Sequence, residues 1–419
     1  MLDTKLNDPP TRLLVPHRWL PLIAAYAILA VAIALVLPHV IPLKTSDYVY
    51  HVKLARIMAE HHVIVTPHFL YQLAVIVLQQ IIKGPDYYLA ALITTLACYW
   101  ATAVALYHLM LNVLPPRRFG SHVLSVGIAL GMTVAMPVAL FAGLDRHHYL
   151  GYMAFGVYHN PTLVMLKPLA LALFLAAVRG LNASSPLPAW FLAASATLAV
   201  LSTLAKPSYA ICLLPALFVA AGFAWWRKRD VSWRLLVVLG GSLVLVLALQ
   251  YWLTYSLAGN SSAAFLKEIG GGLTKSQILW MPFFVMSYWS KFLFGKFLLS
   301  ILFPLTVLLA YGRRALRDPM LPFAWLCFAF GAAYAYLLAE SGTRIVDGNF
   351  FWSGSTTLFI LFTTSMIFLL RQRPGEQTST TPREHLKYRL CQVMFWLHVA
   401  AGGYFYYLLL NARSALSVW

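Results

Sequence analysis

Charge is what this chain has least of. Of its 419 residues only 11% are Asp, Glu, Lys or Arg, while 61% are hydrophobic and the mean hydropathy is +0.73. A soluble domain carries about 25% charged residues, so a water-soluble class is excluded and an integral membrane protein is expected. Polar and apolar residues do not alternate at the strand period, which excludes a transmembrane β-barrel. The four cysteines, Cys98, Cys212, Cys327 and Cys391, fall in apolar runs without metal-ligand spacing and read as packing residues. No glycine-rich phosphate loop or nucleotide-binding domain is present, and no inverted repeat of the transporter kind is evident. The first run, Trp19 to Leu37, is too long for a signal-peptide core and has no small-residue cleavage site, so it reads as an uncleaved anchor.

What the chain does have is a series of apolar runs, each close to the ~20 residues a helix needs to cross a bilayer. They predict spans over 18–38, 87–112, 122–142, 162–178, 187–203, 207–225, 235–256, 290–311, 320–339, 352–370 and 390–411. The expected fold is therefore all-α, a polytopic transmembrane bundle of about 11–12 spans, with 1–419 forming one membrane domain. The net charge of +18 speaks to orientation rather than to nucleic acid, for which no role is expected. Basic connectors around Arg117-Arg118, Arg179, Arg227-Lys228-Arg229 and Arg313-Arg314, with the basic loop 371–389, place the N-terminus inside. That parity holds if 67–82, only 16 residues long, is juxtamembrane or re-entrant and does not cross. Segments 39–86, 143–161, 257–289 and 340–351 then face outward.

The first of these is the most informative. Between Thr45 and Gln72 it gathers Asp47, His51, Lys53, Arg56, Glu60, His61, His62 and His68, titratable groups in a chain that otherwise spends few. A short helix over 47–62 is predicted. One of its faces carries Asp47 and His51, another Lys53, Arg56 and Glu60, and a small apolar face suits the headgroup layer. Asp47 reads either as a helix cap or as a general base tuned by His51 one turn on. A first span, an outward loop opening with an acid, a juxtamembrane helix and Pro67-His68-Phe69-Leu70-Tyr71 leading into the next apolar segment resemble the polytopic GT-C glycosyltransferases, over residues 1–180.

The resemblance implies that the first-loop acid, Asp47 here, is the catalytic carboxylate. It also implies a polyprenyl-phosphate-linked sugar as donor, a glycan, lipid or protein acceptor, and an outward-facing site in a bacterial inner (cytoplasmic) membrane, in cell-envelope polysaccharide biosynthesis. The loop lacks the Asp-Asp, Glu-Asp or Asp-x-Asp pair of some members, so no cofactor is required by the sequence and a divalent metal is unsupported. By the same layout the second outward loop, Asp145-Arg146-His147-His148 followed by His159-Asn160-Pro161, would supply Asp145, His147 and His159 to the substrate. The plainer reading of those groups is interfacial anchoring.

Cations near span ends complete the set. Lys167, Lys206 and Arg344 either snorkel to headgroups or clamp the phosphate of a lipid-phosphate donor where charge develops. Glu340 and Asn349 flank Arg344 in a connector rich in aromatics, which also stack on sugar rings. The stretch 257–289, with Gly270-Gly271-Gly272 and Trp280, reads as an amphipathic cover that would keep water from an activated donor. Two other functions remain open at this level. An O-antigen-type polymerase or ligase would centre on Arg344, with Asp47 a mere cap; a transporter or flippase would use Lys167 and Lys206 as a pathway, although the titratable groups collect at one face.

Overall fold

The computed structural model describes residues 19–84, 86–114, 119–156, 158–183, 185–257, 277–342, 345–374 and 381–411. Arg344, Arg117-Arg118 and the stretch 258–276, which includes the three consecutive glycines, lie outside the described residues. In chain order the helices are α1 (Leu20–Val36), α2 (Ser46–His61), α3 (Leu70–Ile82), α4 (Tyr87–Leu111), α5 (Phe119–Val134), α6 (Ala142–Asp145), α7 (Pro161–Leu181), α8 (Ala189–Ala205), α9 (Ala210–Trp226) and α10 (Trp233–Leu257). They continue as α11 (Phe284–Trp289), α12 (Leu293–Ser300), α13 (Leu302–Tyr311), α14 (Arg313–Leu316), α15 (Leu321–Leu337), α16 (Phe351–Arg371) and α17 (Pro382–Asn411). The fold is all-α. Among the described residues six helices are long and apolar enough to cross a membrane, or seven if α12 and α13 form one broken span. Five shorter apolar helices, α3, α5, α8, α9 and α15, accompany them.

The bundle is built around α16. Every side chain from Phe351 to Leu370 is buried, as expected of a helix that is apolar on all sides. Its threonines are satisfied locally: the Thr356, Thr357, Thr363 and Thr364 hydroxyls donate to carbonyls one turn back. Small residues then let the neighbours close in. A Cβ at Gly331 of α15 would clash with the Thr357 hydroxyl and the Ser353 carbonyl, and one at Gly354 would meet the Met153 sulfur. Helix α7 packs beside α16 with most of its span buried, while α1 turns Ile23, Ile28, Val31 and Leu35 outward to lipid.

Three features depart from the expected spans. Helix α5 stops at Val134, eight residues before the predicted end at 142, because the chain there turns to hydrogen-bond α17. The Met136 amide donates to the His398 carbonyl (3.0 Å) and His398 Nδ1 donates to the Met136 carbonyl (2.8 Å). The predicted span 290–311 is broken at Ile301 into α12 and α13, bent by 67°. A two-stranded antiparallel sheet, unforeseen in the sequence, pairs β1 (Ile278–Trp280) with β2 (Leu338–Glu340), with Leu279 opposite Ala339.

The predicted helix 47–62 is α2. Its Tyr48, His51, Val52, Ala55 and Met58 recur at helical spacing and are buried, while Lys53, Arg56 and Glu60 are exposed. The apolar face lies on protein, not on headgroups: Val52 and Ala55 pack with Tyr71 and Val75 of α3, Ala90 and Ala91 of α4 and Met165 of α7.

Where α17 crosses the exit of α5, a Cβ at Gly402 would run into the Val134 carbonyl, whereas one at Gly403 would meet nothing within 4 Å. Gly402→Ala is therefore expected to destabilise the protein by ~1–3 kcal/mol, and Gly403→Ala to leave it unchanged or slightly firmer, as read from thermal melting of the purified protein in detergent.

Candidate functional site

Helix α7 begins with a strong start signal. Asn160 is extended (φ −116, ψ 98) and Pro161 occupies the first helical position, where its missing N–H costs nothing. The Asn160 Oδ1 accepts the capping bond from the Leu163 amide at 3.0 Å and a second from the Thr162 hydroxyl at 2.9 Å. Both bonds fix the side-chain amide so that its other end, Nδ2, donates to Asp47 Oδ2 at 2.6 Å. Asp47 itself sits in the first turn of α2, where the helix dipole favours a carboxylate.

Lys206 joins the same amide. Helix α8 ends there because Pro207 follows, and Lys206 is extended (φ −167, ψ 131). Its ammonium donates to Thr162 Oγ1 at 3.1 Å and to Asn160 Oδ1 at 3.3 Å, and lies over the Trp352 ring, 5.4 Å from the centroid. Trp352 stands in the first turn of α16, so the N-terminal ends of α7 and α16 both point at this place. The His159 ring packs against Trp352 (5.4 Å) and Tyr149 (5.7 Å). Burial pulls the His159 imidazole down to about 4, with Lys206 adding to the effect and the Asp47 carboxylate opposing it. Burial, then Asp47, pushes the Tyr149 phenol well up. A carboxylate, a cation, an indole and a neutral imidazole thus meet at one end of the bundle.

The predicted site residues divide accordingly. Asp47, His159 and Lys206 come together. His51 lies one turn from Asp47, where it is buried and Gln72 Nε2 donates to its Nδ1 at 2.7 Å, which puts the ring proton on Nε2. Burial holds the His51 imidazole well below its usual range, helped by His68 and Lys206.

Lys167 is 3% exposed inside α7, with its ammonium between the rings of Tyr99 (5.9 Å) and Phe359 (5.7 Å). No hydrogen bond joins it to Lys206's partners.

Asp145 belongs to a second cluster, where its Oδ2 accepts from Lys296 Nζ (2.7 Å) and Ser290 Oγ (2.9 Å). Burial acts to raise the Asp145 carboxyl, but the bonds from Lys296, Ser290 and the His147 amide outweigh it and hold it below its usual value. His147 enters only through that backbone amide, at 3.2 Å from Asp145 Oδ1. Glu340 and Asn349 bond each other at 3.0 Å across the turn that leads into α16. Among the described residues no group of three or more His, Cys, Asp or Glu stands in metal-binding geometry.

Sequence reasoning missed the connecting residues. Asn160 stands in the second outward loop without a role of its own in the sequence reading, although Asn-Pro-Thr at a span start is a cap signature. Lys296, fully buried, was hidden in an apolar run, where a lone lysine is itself a signal. No family model, curated protein or solved structure matches this chain. The fold and the site define a multi-pass helical membrane protein with a polar cluster at one end of its bundle.

Two outcomes follow from the buried ionisable groups. An unfolded chain protonates His159 near pH ~6.5, the folded one only near about 4. Between those values the unfolded state binds more protons, so stability is lost as the pH falls through that window. The thermal midpoint is expected to drop on going from neutral to about pH 4.5, and His159→Gln to make the drop shallower. For Lys167, replacement by methionine removes a charge from an apolar interior, which costs several kcal/mol to keep there. Lys167→Met is expected to melt at a higher temperature than the parent protein.

Proposed function

We propose that this protein is an inverting, GT-C-like membrane glycosyltransferase that moves a sugar from a polyprenyl-phosphate donor to a glycan, lipid or protein acceptor at the extracytoplasmic face. The observation that carries the reading is the bridge through Asn160, which holds a carboxylate from α2 and a lysine from the α8–α9 turn on one amide. A base and a cation at fixed spacing are what a single displacement at an anomeric carbon needs.

In this reading Asp47 takes the proton of the acceptor hydroxyl as its oxygen attacks the anomeric carbon. The bond from that carbon to the phosphate oxygen breaks, and the electron pair leaves with the polyprenyl phosphate. Lys206 and the Thr162 hydroxyl receive the phosphate at the N-termini of α7 and α16, where backbone N–H groups and helix dipoles favour an anion. Arg344 adds a second cation from its connector, while Lys167, enclosed between the Tyr99 and Phe359 rings, stays outside the clamp. The Trp352 face, with His159 beside it, offers the sugar ring a stacking surface. His51, held by Gln72, positions α2 on α3. Asp145 and His147, in the Lys296 cluster, and Glu340 and Asn349, bonded to each other, are given no part in the step. The step as written requires no cofactor.

The test uses purified protein in lipid nanodiscs with a panel of polyprenyl-phosphate hexoses and pentoses and a mixed acceptor extract. Asp47→Asn is expected to lose about 10²–10⁴ in transfer rate with its melting temperature kept, and Lys206→Met to weaken donor use more than Lys206→Arg. Full transfer by Asp47→Asn overturns the mechanism. A dead Arg344→Ala beside an active Asp47→Asn would instead indicate a polymerase.

A further inference from the structure

The segment from β1 to α12 is inside out by the standards of a water-facing loop. Two of its polar groups point inward: Lys296 is fully buried, Ser290 is 5% exposed, and both bond Asp145. Its aromatic and aliphatic groups point outward, with Ile278, Trp280, Phe283, Tyr288, Phe292 and Phe294 between 47% and 77% exposed. Lys291 is the one exposed charge among the described residues 277–296. In water such a surface is rare and unfavourable; in the interfacial layer of a bilayer it is the expected arrangement.

The chain path agrees. Helix α13 packs against the spans α16 and α17, and α12 leaves it at 67°, turning away from the direction in which the bundle crosses the membrane. Two bulky residues, Phe283 (φ 60) and Phe292 (φ 58), take the left-handed conformation at the two ends of this elbow, which costs backbone energy. That cost is met by fixed contacts. The Phe283 amide donates to the Tyr336 carbonyl, Phe292 stacks on Phe141 (5.4 Å, 17°), and the Trp289 indole donates to the Val346 carbonyl at 2.6 Å. The elbow is held rigidly in the pose that displays its aromatics.

We infer that residues 278–294 form a membrane-seated elbow whose partner is the bilayer itself, with its aromatic face among the acyl chains and glycerol backbones and Lys291 at the lipid phosphates. The segment is then seated in lipid, not a cover standing in water. This inference is independent of the reaction proposed above.

The test places a nitroxide at Trp280→Cys, Tyr288→Cys or Phe294→Cys in the full chain, reconstituted in phosphatidylethanolamine–phosphatidylglycerol vesicles. The parent chain, whose four cysteines all lie within helices, sets the background. Collision rates with oxygen and with a water-soluble nickel chelate are then compared. The expected result is an oxygen rate several-fold above the chelate rate at all three positions, with the order reversed at Lys291→Cys. A chelate rate above the oxygen rate at the aromatic positions means a water-facing cover and overturns the inference. Suppression of both rates means the face is covered by protein, from this chain or another, and overturns it equally. Three independent sites keep the result readable if one variant does not fold.

Discussion

One side-chain amide ties the polar end of this protein together. Asn160 has two tasks that pull on opposite ends of the same planar group: its oxygen caps α7 and accepts from Lys206, and its nitrogen donates to Asp47. Because the cap fixes the oxygen, the nitrogen has no freedom to turn away, and the position of the Asp47 carboxylate is set by the start of a transmembrane helix. A site built on such a helix terminus inherits the rigidity of the bundle, which is what positioning for catalysis requires. The surrounding core has the same logic. Helix α16 is enclosed by neighbours on all sides, so its first turn, with Trp352, is as immobile as the cap opposite it.

Much of this arrangement was legible in the sequence, and for identifiable reasons. Composition and run length imposed the all-α membrane fold, since unsatisfied backbone groups in lipid leave few alternatives. Asp47 stood out because a carboxylate is rare in so apolar a chain, and Lys206 because Lys-Pro between two spans leaves a cation at membrane depth. The boundaries of α4, α7 and α16 follow their apolar runs within a few residues.

The rest was hidden because it depends on contacts between distant segments. Nothing local to 278–280 or 338–340 marks a strand; three residues pair only because the fold brings them together. The break at Ile301 does have a local mark, Pro304, which lacks the N–H that would bond the Ser300 carbonyl, but by length alone the apolar run reads as one continuous span. His51 looked like a partner for Asp47 by spacing along α2, yet Gln72 from α3 claims its ring instead. Spacing along one helix fixes the face a residue occupies, but the neighbour on that face comes from elsewhere in the chain.

The three lysines at or below the membrane surface separate the groups that can act from those that hold the fold. Lys296 meets the Asp145 carboxylate at 2.7 Å with both side chains nearly or fully buried, and a closed pair of that kind serves the architecture, since removing either partner would strand a charge. Lys167 sits among rings within the best-buried pair of helices, where a charge is costly and an incoming polar ligand has no direct path. Lys206 differs from both in its place. It lies at the end of α8, where two helix N-termini, an indole and the amide that holds Asp47 converge at the polar end of the bundle. An anion arriving there from the membrane surface would meet a cation and aligned helix dipoles at once, with a carboxylate held a fixed distance away. Of the three, only that position gives positive charge a chemical use as well as a structural one.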